Sequence, residues 1–230
     1  SNASAAKQYG LSAHVNADAA IAQLRSQVVS RLGFDGEDQS VINTAKAQAQ
    51  VYLNNPEKVD PYLASTYLSL AAFHGDKNLL DDYIKTFKTT KDPQVRTKML
   101  AAMSYFGNPE LQTRVLNYSL TDDVTASDMR TIMSGQKYTS ARDALFIEWI
   151  YANYDKVVAN LPPFFVPNLP YFTTSGCDAS SLKKTNSFFS DKIADVPGYA
   201  RTLSKLSESV DNCIALKERE LASVNSFLKR

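Results

Sequence analysis

The side chains in this sequence that could do catalytic chemistry are few, and their spacing does not suit it. The two histidines, His14 and His74, lie far apart, and neither belongs to a His-Glu-x-x-His motif. Adjacent acids occur at Asp81-Asp82 and Asp122-Asp123, but neighbouring side chains on a helix or turn point apart and make poor acid/base pairs. No phosphate-binding glycine loop, dinucleotide fingerprint or nucleophile elbow occurs. We therefore expect no catalytic residue, no metal site and no cofactor in this chain.

The cysteines leave two interpretations open. Cys177 and Cys213 are the only two, and neither belongs to a Cys-x-x-Cys motif. They would form one disulfide if the parent protein is exported, closing a loop of about 35 residues and adding about 3 to 4 kcal/mol. The alternative is two buried thiols. An exported or periplasmic parent and a cytoplasmic parent both stay open.

Composition excludes some classes of partner. The chain has 230 residues, of which 44% are hydrophobic and 21% charged, enough to bury a substantial core. The net charge is +1 with both signs interspersed, so we expect no nucleic-acid partner and no attraction to an anionic membrane. No apolar run reaches the roughly 18 residues of a membrane span.

The elements that would position any site follow a helical repeat. Asp60-Pro61 recurs 32 residues later as Asp92-Pro93. Four further pairs keep the same spacing: Leu68 with Leu100, Phe73 with Tyr105, Gly75 with Gly107, and Leu79 with Leu111. Each copy has a capping residue, a proline at the first helical position, an apolar-striped helix, a glycine-containing break and a second helix. A period of this length with two helices per unit is typical of an α-solenoid.

The rest of the chain is also predicted to be helical. Short and long helices are expected over Ser127–Gly135 and Ser140–Leu161, and a terminal helix runs from Pro197-Gly198 to Leu228. Pro162-Pro163 must end the long helix. No stretch alternates with period two strongly enough to predict a sheet. We predict an all-α fold, an α-solenoid of antiparallel helix pairs forming a HEAT/armadillo-like superhelix.

The predicted domain organisation is simple. Ser1-Asn2-Ala3 matches the remnant of a cleaved expression tag, and residues 4–17 read as a poorly ordered leader. A single helical-repeat domain is expected over residues 18–230, with Asp18 capping its first helix. We interpret it as the C-terminal part of a larger parent.

Several segments together resemble the C-terminal helical domain of the zinc aminopeptidases of the aminopeptidase N family, which includes the puromycin-sensitive and endoplasmic-reticulum aminopeptidases. The resemblance covers almost the whole chain after the leader. Its segments are Arg31–Phe34, Asp92-Pro93 with Leu100, Gly107–Leu111, Trp149, Asn153–Asp155 with Val157, Asn186–Phe189, Arg201–Leu203 and Glu208–Asn212. None of these is a catalytic motif, and it is their order and spacing that carry the resemblance.

The resemblance implies that the parent is an enzyme whose active site lies outside this chain. In that family the zinc ligands and the general-base glutamate belong to an upstream catalytic domain, so zinc would be the parent's cofactor and not this fragment's. The helical domain would cap that site and form a peptide chamber, and the parent would remove N-terminal residues from peptides. The partners implied are the parent's own catalytic domain and peptide substrates.

The resemblance also points to candidate substrate-binding residues. Four side chains lie in the region where family members reach toward the substrate: Arg130, Lys137, Tyr138 and Arg142. A peptide carboxylate would favour such charges. The length and composition of Ser134–Arg142 depart from the family, as do Tyr154 and Cys177, and these departures bear on specificity.

An alternative from another class is a free-standing α-solenoid that binds peptides or proteins on its concave face. The aminopeptidase hypothesis predicts an apolar patch where the missing domain would dock. The scaffold hypothesis predicts a complete, monomeric protein with a polar capping helix at each end.

Overall fold

The structure, a computed structural model, describes residues 19–136, 140–174 and 176–229. The chain divides into two compact units, Ser1–Gln136 and Lys137–Arg230. All regular structure in the described residues is helical, which confirms the predicted all-α class. The prediction of one domain over residues 18–230 stays a prediction. Lys137, Tyr138 and Asp18 lie outside the described residues.

The first unit contains seven described α-helices joined by short turns. They are α1 (Ala19–Ser30), α2 (Gln39–Asn54), α3 (Pro61–Phe73), α4 (Lys77–Thr89), α5 (Pro93–Met103), α6 (Pro109–Tyr118) and α7 (Ala126–Ser134). A π-helical turn over Arg31–Asp35 follows α1, and a 3-10 turn over Pro56–Lys58 precedes α3.

The helix starts show why the Asp-Pro pairs recur. The Asp60 and Asp92 side chains accept hydrogen bonds from the backbone N–H groups of Tyr62 and Gln94, at 2.9 and 2.7 Å. Pro61 and Pro93 occupy the first helical positions, where a missing N–H costs nothing. Each pair therefore begins a helix at a fixed point of the repeat.

The helices of the first unit pack as two layers. Layer A consists of α1, α3, α5 and α7, each packed on the next, and layer B consists of α2, α4 and α6. The closest antiparallel pairs are α2 with α3, α4 with α5, and α6 with α7. Stacked helix pairs in two layers are the arrangement that the repeat predicts for a solenoid.

The residues that recur in the sequence occupy equivalent places in the core. Leu68 and Leu100 are buried, as are Leu79 and Leu111. Phe73 and Tyr105 both contact the ring of Phe34, with centroids 5.3 and 5.7 Å apart. The ends of α1, α3 and α5 therefore meet in one aromatic cluster.

A glycine follows layer-A helices because the neighbouring helix approaches closely there. A Cβ added at Gly107 would lie 2.6 Å from the carbonyl oxygen of Phe73, and one at Gly75 would lie 2.9 Å from the ring of Phe106. Neither glycine has a positive φ. Close packing of successive repeats, and not a left-handed turn, requires glycine at these positions.

The second unit contains four described α-helices. They are α8 (Ser140–Ala152), α9 (Tyr154–Asn160), α10 (Ala179–Phe189) and α11 (Gly198–Leu228), with 3-10 turns over Val166–Phe172 and Ser190–Lys192. Its core includes the fully buried rings of Phe146, Phe189 and Tyr199. The hydroxyls of Tyr154 and Tyr199 are hydrogen-bonded at 3.1 Å.

The single long helix predicted over Ser140–Leu161 is wrong, because the helix breaks at Asn153. The Asn153 backbone N–H bonds to the carbonyls of Trp149 and Ile150, and its side-chain amide donates to the Trp149 carbonyl at 2.9 Å. Asparagine competes well for backbone groups in this way. The chain restarts as α9 and ends before Pro162, as predicted.

The last helix, α11, is only half covered. Leu203, Leu206 and Val210 are buried, whereas Leu221, Val224, Phe227 and Leu228 are 49%, 49%, 73% and 74% exposed. Cys213 lies at the change and forms a disulfide with Cys177, the Cα atoms being 5.2 Å apart. No helix in the described part of the chain combines the length and apolarity needed to cross a membrane.

Candidate binding surface

The two layers of the first unit differ sharply in charge. The sequence of α3 contains no Asp, Glu, Lys or Arg, and the only carboxylate within the four layer-A helices is Asp128. Layer B carries mixed charges, most densely on α4 with Lys77, Asp81, Asp82, Lys85 and Lys88. A charged solvated surface therefore belongs to layer B, and layer A presents a different chemistry.

The accessible side chains of layer A, here called the layer-A face, are mostly uncharged hydrogen-bonding groups. They are Gln23, Gln27, Ser65, Thr66, Ser69, Gln94, Thr97, Ser127, Thr131 and Ser134. Tyr62, 57% exposed, adds an aromatic ring. Two cations complete the face, Lys98 on α5 and Arg130 on α7, one repeat apart.

The lone layer-A carboxylate is fully engaged. Asp128 is 8% exposed and accepts two hydrogen bonds from the Arg96 guanidinium, at 3.1 and 2.7 Å. It also forms a reciprocal capping box with Thr125 at the start of α7. The Arg96 guanidinium lies 4.1 Å above the ring of Phe87. Arg96 on α5 is thereby fixed to α7.

These contacts determine the protonation of the pair. Burial raises the pKa of Asp128, but hydrogen bonds from Arg96 and Thr125 outweigh it, so the pKa lies below the ordinary value of an aspartate. The hydrogen bond to Asp128 raises the pKa of Arg96. Both groups are charged at neutral pH, and the carboxylate is not available to repel an anion at the layer-A face.

The end of α7 is held by a buried amide network. Gln136 is fully buried, and its Oε1 accepts a hydrogen bond from the Gln112 side chain at 3.0 Å. Its Nε2 donates to the carbonyls of Ser104 and Ile132 at 3.3 and 3.2 Å. A buried amide satisfied on both sides fixes the backbone at the point where the first unit ends.

The structure describes the side chain of only one of the four residues predicted to bind substrate. Arg130 lies on α7 with an exposed side chain, on the layer-A face. Lys137 and Tyr138 fall outside the described residues. Arg142 lies within α8, and the structure describes only its backbone. The grouping of these four residues stays a prediction.

Sequence reasoning missed the layer-A face and, with it, Lys98. The signal was present, because Lys98 and Arg130 are separated by the same 32 positions as Arg96 and Asp128. The absence of charge from α3 was equally visible. Assigning these residues to one face required knowing which helices share a layer.

Metal-binding groups do not assemble in the described residues. No cluster of three or more histidines, cysteines, aspartates or glutamates there could hold a metal ion. His74 stands apart, edge-on to the ring of Phe73 with centroids 5.1 Å apart. The donor set in the described chain does not fit a zinc centre.

The described residues combine stacked helix pairs, an acid-poor layer-A face and no cluster of metal-binding groups. The family model of the ERAP1-like C-terminal domain matches residues 3–212, and the chain belongs to that family. The chain is also similar to "Aminopeptidase 2, mitochondrial" of Saccharomyces cerevisiae, with 26% identity over 156 residues. The alignment covers 65% of this chain and 16% of the yeast protein. The chain thus spans a small part of that relative.

Proposed function

We propose that this chain is the non-catalytic C-terminal domain of a zinc aminopeptidase that removes N-terminal residues from peptides. The domain closes over the parent's catalytic domain and forms part of the chamber that holds the substrate. The family match over residues 3–212 is the observation that carries this proposal. The relative named as an aminopeptidase agrees with it.

The layer-A face is the chamber wall in this proposal. Hydroxyl and amide side chains can pair with the N–H and C=O groups of an extended peptide without selecting its sequence. Lys98 and Arg130 offer charge-assisted hydrogen bonds to a peptide carboxylate. The predicted residues Lys137, Tyr138 and Arg142 belong to the same proposed function.

The apolar end of α11 supports a docking contact with the rest of the parent. Leu221, Val224 and Leu228 lie on the same face of the helix as the buried Leu203 and Val210. Helices in proteins gain most of their stability by packing an amphipathic face against another element. We propose that the catalytic part of the parent covers this apolar stripe.

The zinc ion of this proposal belongs to the parent's catalytic domain. This chain would bind and orient the peptide and exclude bulk water when the two domains close. Its side chains take no part in bond cleavage.

The test is a double charge reversal, Lys98→Glu with Arg130→Glu, in the full-length parent. We expect KM for a peptide of about ten residues to rise roughly thirtyfold, because two charge-assisted hydrogen bonds are lost and each contributes on the order of 1 kcal/mol. Hydrolysis of an aminoacyl amide, too short to reach the wall, stays unchanged.

The matched control is Lys77→Glu with Lys85→Glu, which reverses two exposed cations of layer B. It leaves both substrates unaffected. Equal losses from the two double variants, or equal losses on long and short substrates, would contradict the proposed wall.

A further inference from the structure

A groove crosses the edge of the first unit where the first repeat meets the second. It consists of two adjoining cavities of about 310 and 410 Å³. Five residues line both: Tyr52, Pro56, Glu57, Asp92 and Val95. The groove lies beside the starts of α3 and α5, and Arg130 does not line it.

Tyr52 lines both cavities of the groove. Its side chain is 4% exposed, yet its hydroxyl makes no hydrogen bond to any residue that the structure describes. Burial, and then the nearby Asp92 carboxylate, raise the pKa of this phenol. The hydroxyl oxygen itself is not buried, so a group that enters the groove can reach it. The hydroxyl can donate to, or accept from, a polar group entering the groove.

The rim of the groove is acidic and its walls are apolar. The larger cavity is lined by two carboxylates, Glu57 and Asp92, and by no cation. One oxygen of Asp92 caps α5, which leaves the other oxygen open within the described structure. Pro56 and Val95 supply rigid apolar walls. Lys98 lines only the smaller cavity, at the other end of the groove.

This combination suits a long side chain with an apolar stem and a cationic head. The methylene groups of lysine or arginine pack well on proline, valine and tyrosine while the charge stays near solvent. Two carboxylates at the rim would pair with the head, and the Tyr52 hydroxyl would accept a further hydrogen bond.

We infer that the groove is a subsite for a lysine or arginine side chain of a bound peptide. The inference rests on the proposed function only in taking the ligand to be a peptide. Its chemistry depends on this chain alone, and it adjoins the layer-A face at Lys98, which lies at one end of the groove.

The experiment is an NMR titration of the ¹⁵N-labelled 230-residue chain with Nα-acetyl-arginine amide. We expect saturable shifts at the amides of Glu57, Asp92 and Val95. Nα-acetyl-norleucine amide has an apolar side chain without charge and binds at least about fivefold more weakly, because a partly exposed ion pair contributes on the order of 1 kcal/mol. Nα-acetyl-glutamate amide does not bind.

Three variants assign the contacts. Glu57→Gln and Asp92→Asn each weaken arginine-amide binding about three- to tenfold, and asparagine preserves the helix cap. Tyr52→Phe removes only the hydroxyl and weakens binding without changing the far-UV spectrum. Glu110→Gln, an exposed acid at the start of α6, is the matched control and has no effect.

Equal affinity for the arginine and norleucine amides would overturn the inference, as would shifts that map away from the groove. Wild-type affinity in both Glu57→Gln and Asp92→Asn would also overturn it, and so would the absence of any saturable shift. None of these outcomes bears on the parent's KM in the Lys98 and Arg130 variants, so the two proposals fail separately.

Discussion

Asp128 joins two repeats through a single carboxylate. It accepts both hydrogen bonds of the Arg96 guanidinium and completes the cap of α7. Its side chain is 11% exposed, whereas Asp81, which pairs with Arg114 between two layer-B helices, is 46% exposed. The Arg96–Asp128 pair is therefore less screened by solvent, and it has one more hydrogen bond and a helix cap that the Arg114–Asp81 pair lacks.

We predict that Asp128→Ala lowers the free energy of unfolding by about 2 to 3 kcal/mol, because it leaves a half-buried guanidinium unpaired and removes a cap. Asp81→Ala, the control, costs less than about 1 kcal/mol. Urea unfolding followed by circular dichroism measures both. Equal losses would show that burial of the Arg96 pair contributes nothing.

His74 gives the first unit a dependence on pH. Burial lowers the pKa of His74, against an opposing hydrogen bond to the Gly33 carbonyl; Lys46 lowers it further and Glu37 raises it. Its Nε2 is buried without a partner among the described residues. The neutral form is therefore favoured in the folded state, and the unfolded chain titrates at the ordinary value of about 6.5.

The sign of the effect follows from proton linkage. As pH falls through about 6.5, the unfolded chain binds the proton first, so the free energy of unfolding falls toward the lower folded pKa. We predict that His74→Gln reduces this slope between about pH 7.5 and 5.5. Identical slopes in wild type and His74→Gln would contradict this role.

At the scale of elements, the sequence could predict most helices because their ends are encoded locally. Asp60, Asp92 and Asp178 each accept hydrogen bonds at a helix start, as their spacing from the following apolar residues predicts. The break at Asn153 was missed because apolar periodicity continues across it. A competing side-chain hydrogen bond leaves no trace in that periodicity.

The pairing of helices and the candidate site were harder to predict. The repeated unit, read from Asp60, joins α3 to α4, whereas α4 packs mainly on α5. The layer-A face could not be predicted for the same reason, because it depends on which helices are neighbours. Lys98 and Arg130 lie on one surface only when α5 and α7 pack together. The sequence also could not predict that Leu221 and Val224 are exposed. An apolar stripe on a helix has the same pattern whether or not another element covers it.

The disulfide fixes α11 to the segment before α10, at the point where α11 leaves the body of its unit. Cys177 and Cys213 are 36 positions apart. We predict that Cys177→Ser with Cys213→Ser lowers the free energy of unfolding by about 3 to 4 kcal/mol through the larger entropy of the open unfolded chain. The fluorescence of Trp149, the one tryptophan, reports on this unit.

Reductant serves as the control for this prediction. Dithiothreitol destabilises the wild-type chain by the same amount and leaves the double serine variant unchanged. Wild-type stability that does not respond to reduction would contradict a stabilising role for the disulfide.

At the scale of the whole molecule, three features bear on the proposed function. The described chain holds no metal-binding cluster, and its layer-A face is polar and acid-poor. The apolar end of α11 is uncovered. The family match supplies the class of parent, and the geometry supplies the faces on which it would act.

The most direct measurement is to sequence the coding DNA upstream of Ser4 as far as the start codon. The proposed function predicts a catalytic domain there, with a His-Glu-x-x-His motif, a downstream glutamate and a Gly-x-Met-Glu-Asn element. A start codon immediately before Ser4, with no peptidase domain preceding it, would contradict the aminopeptidase assignment and favour a free-standing peptide-binding solenoid.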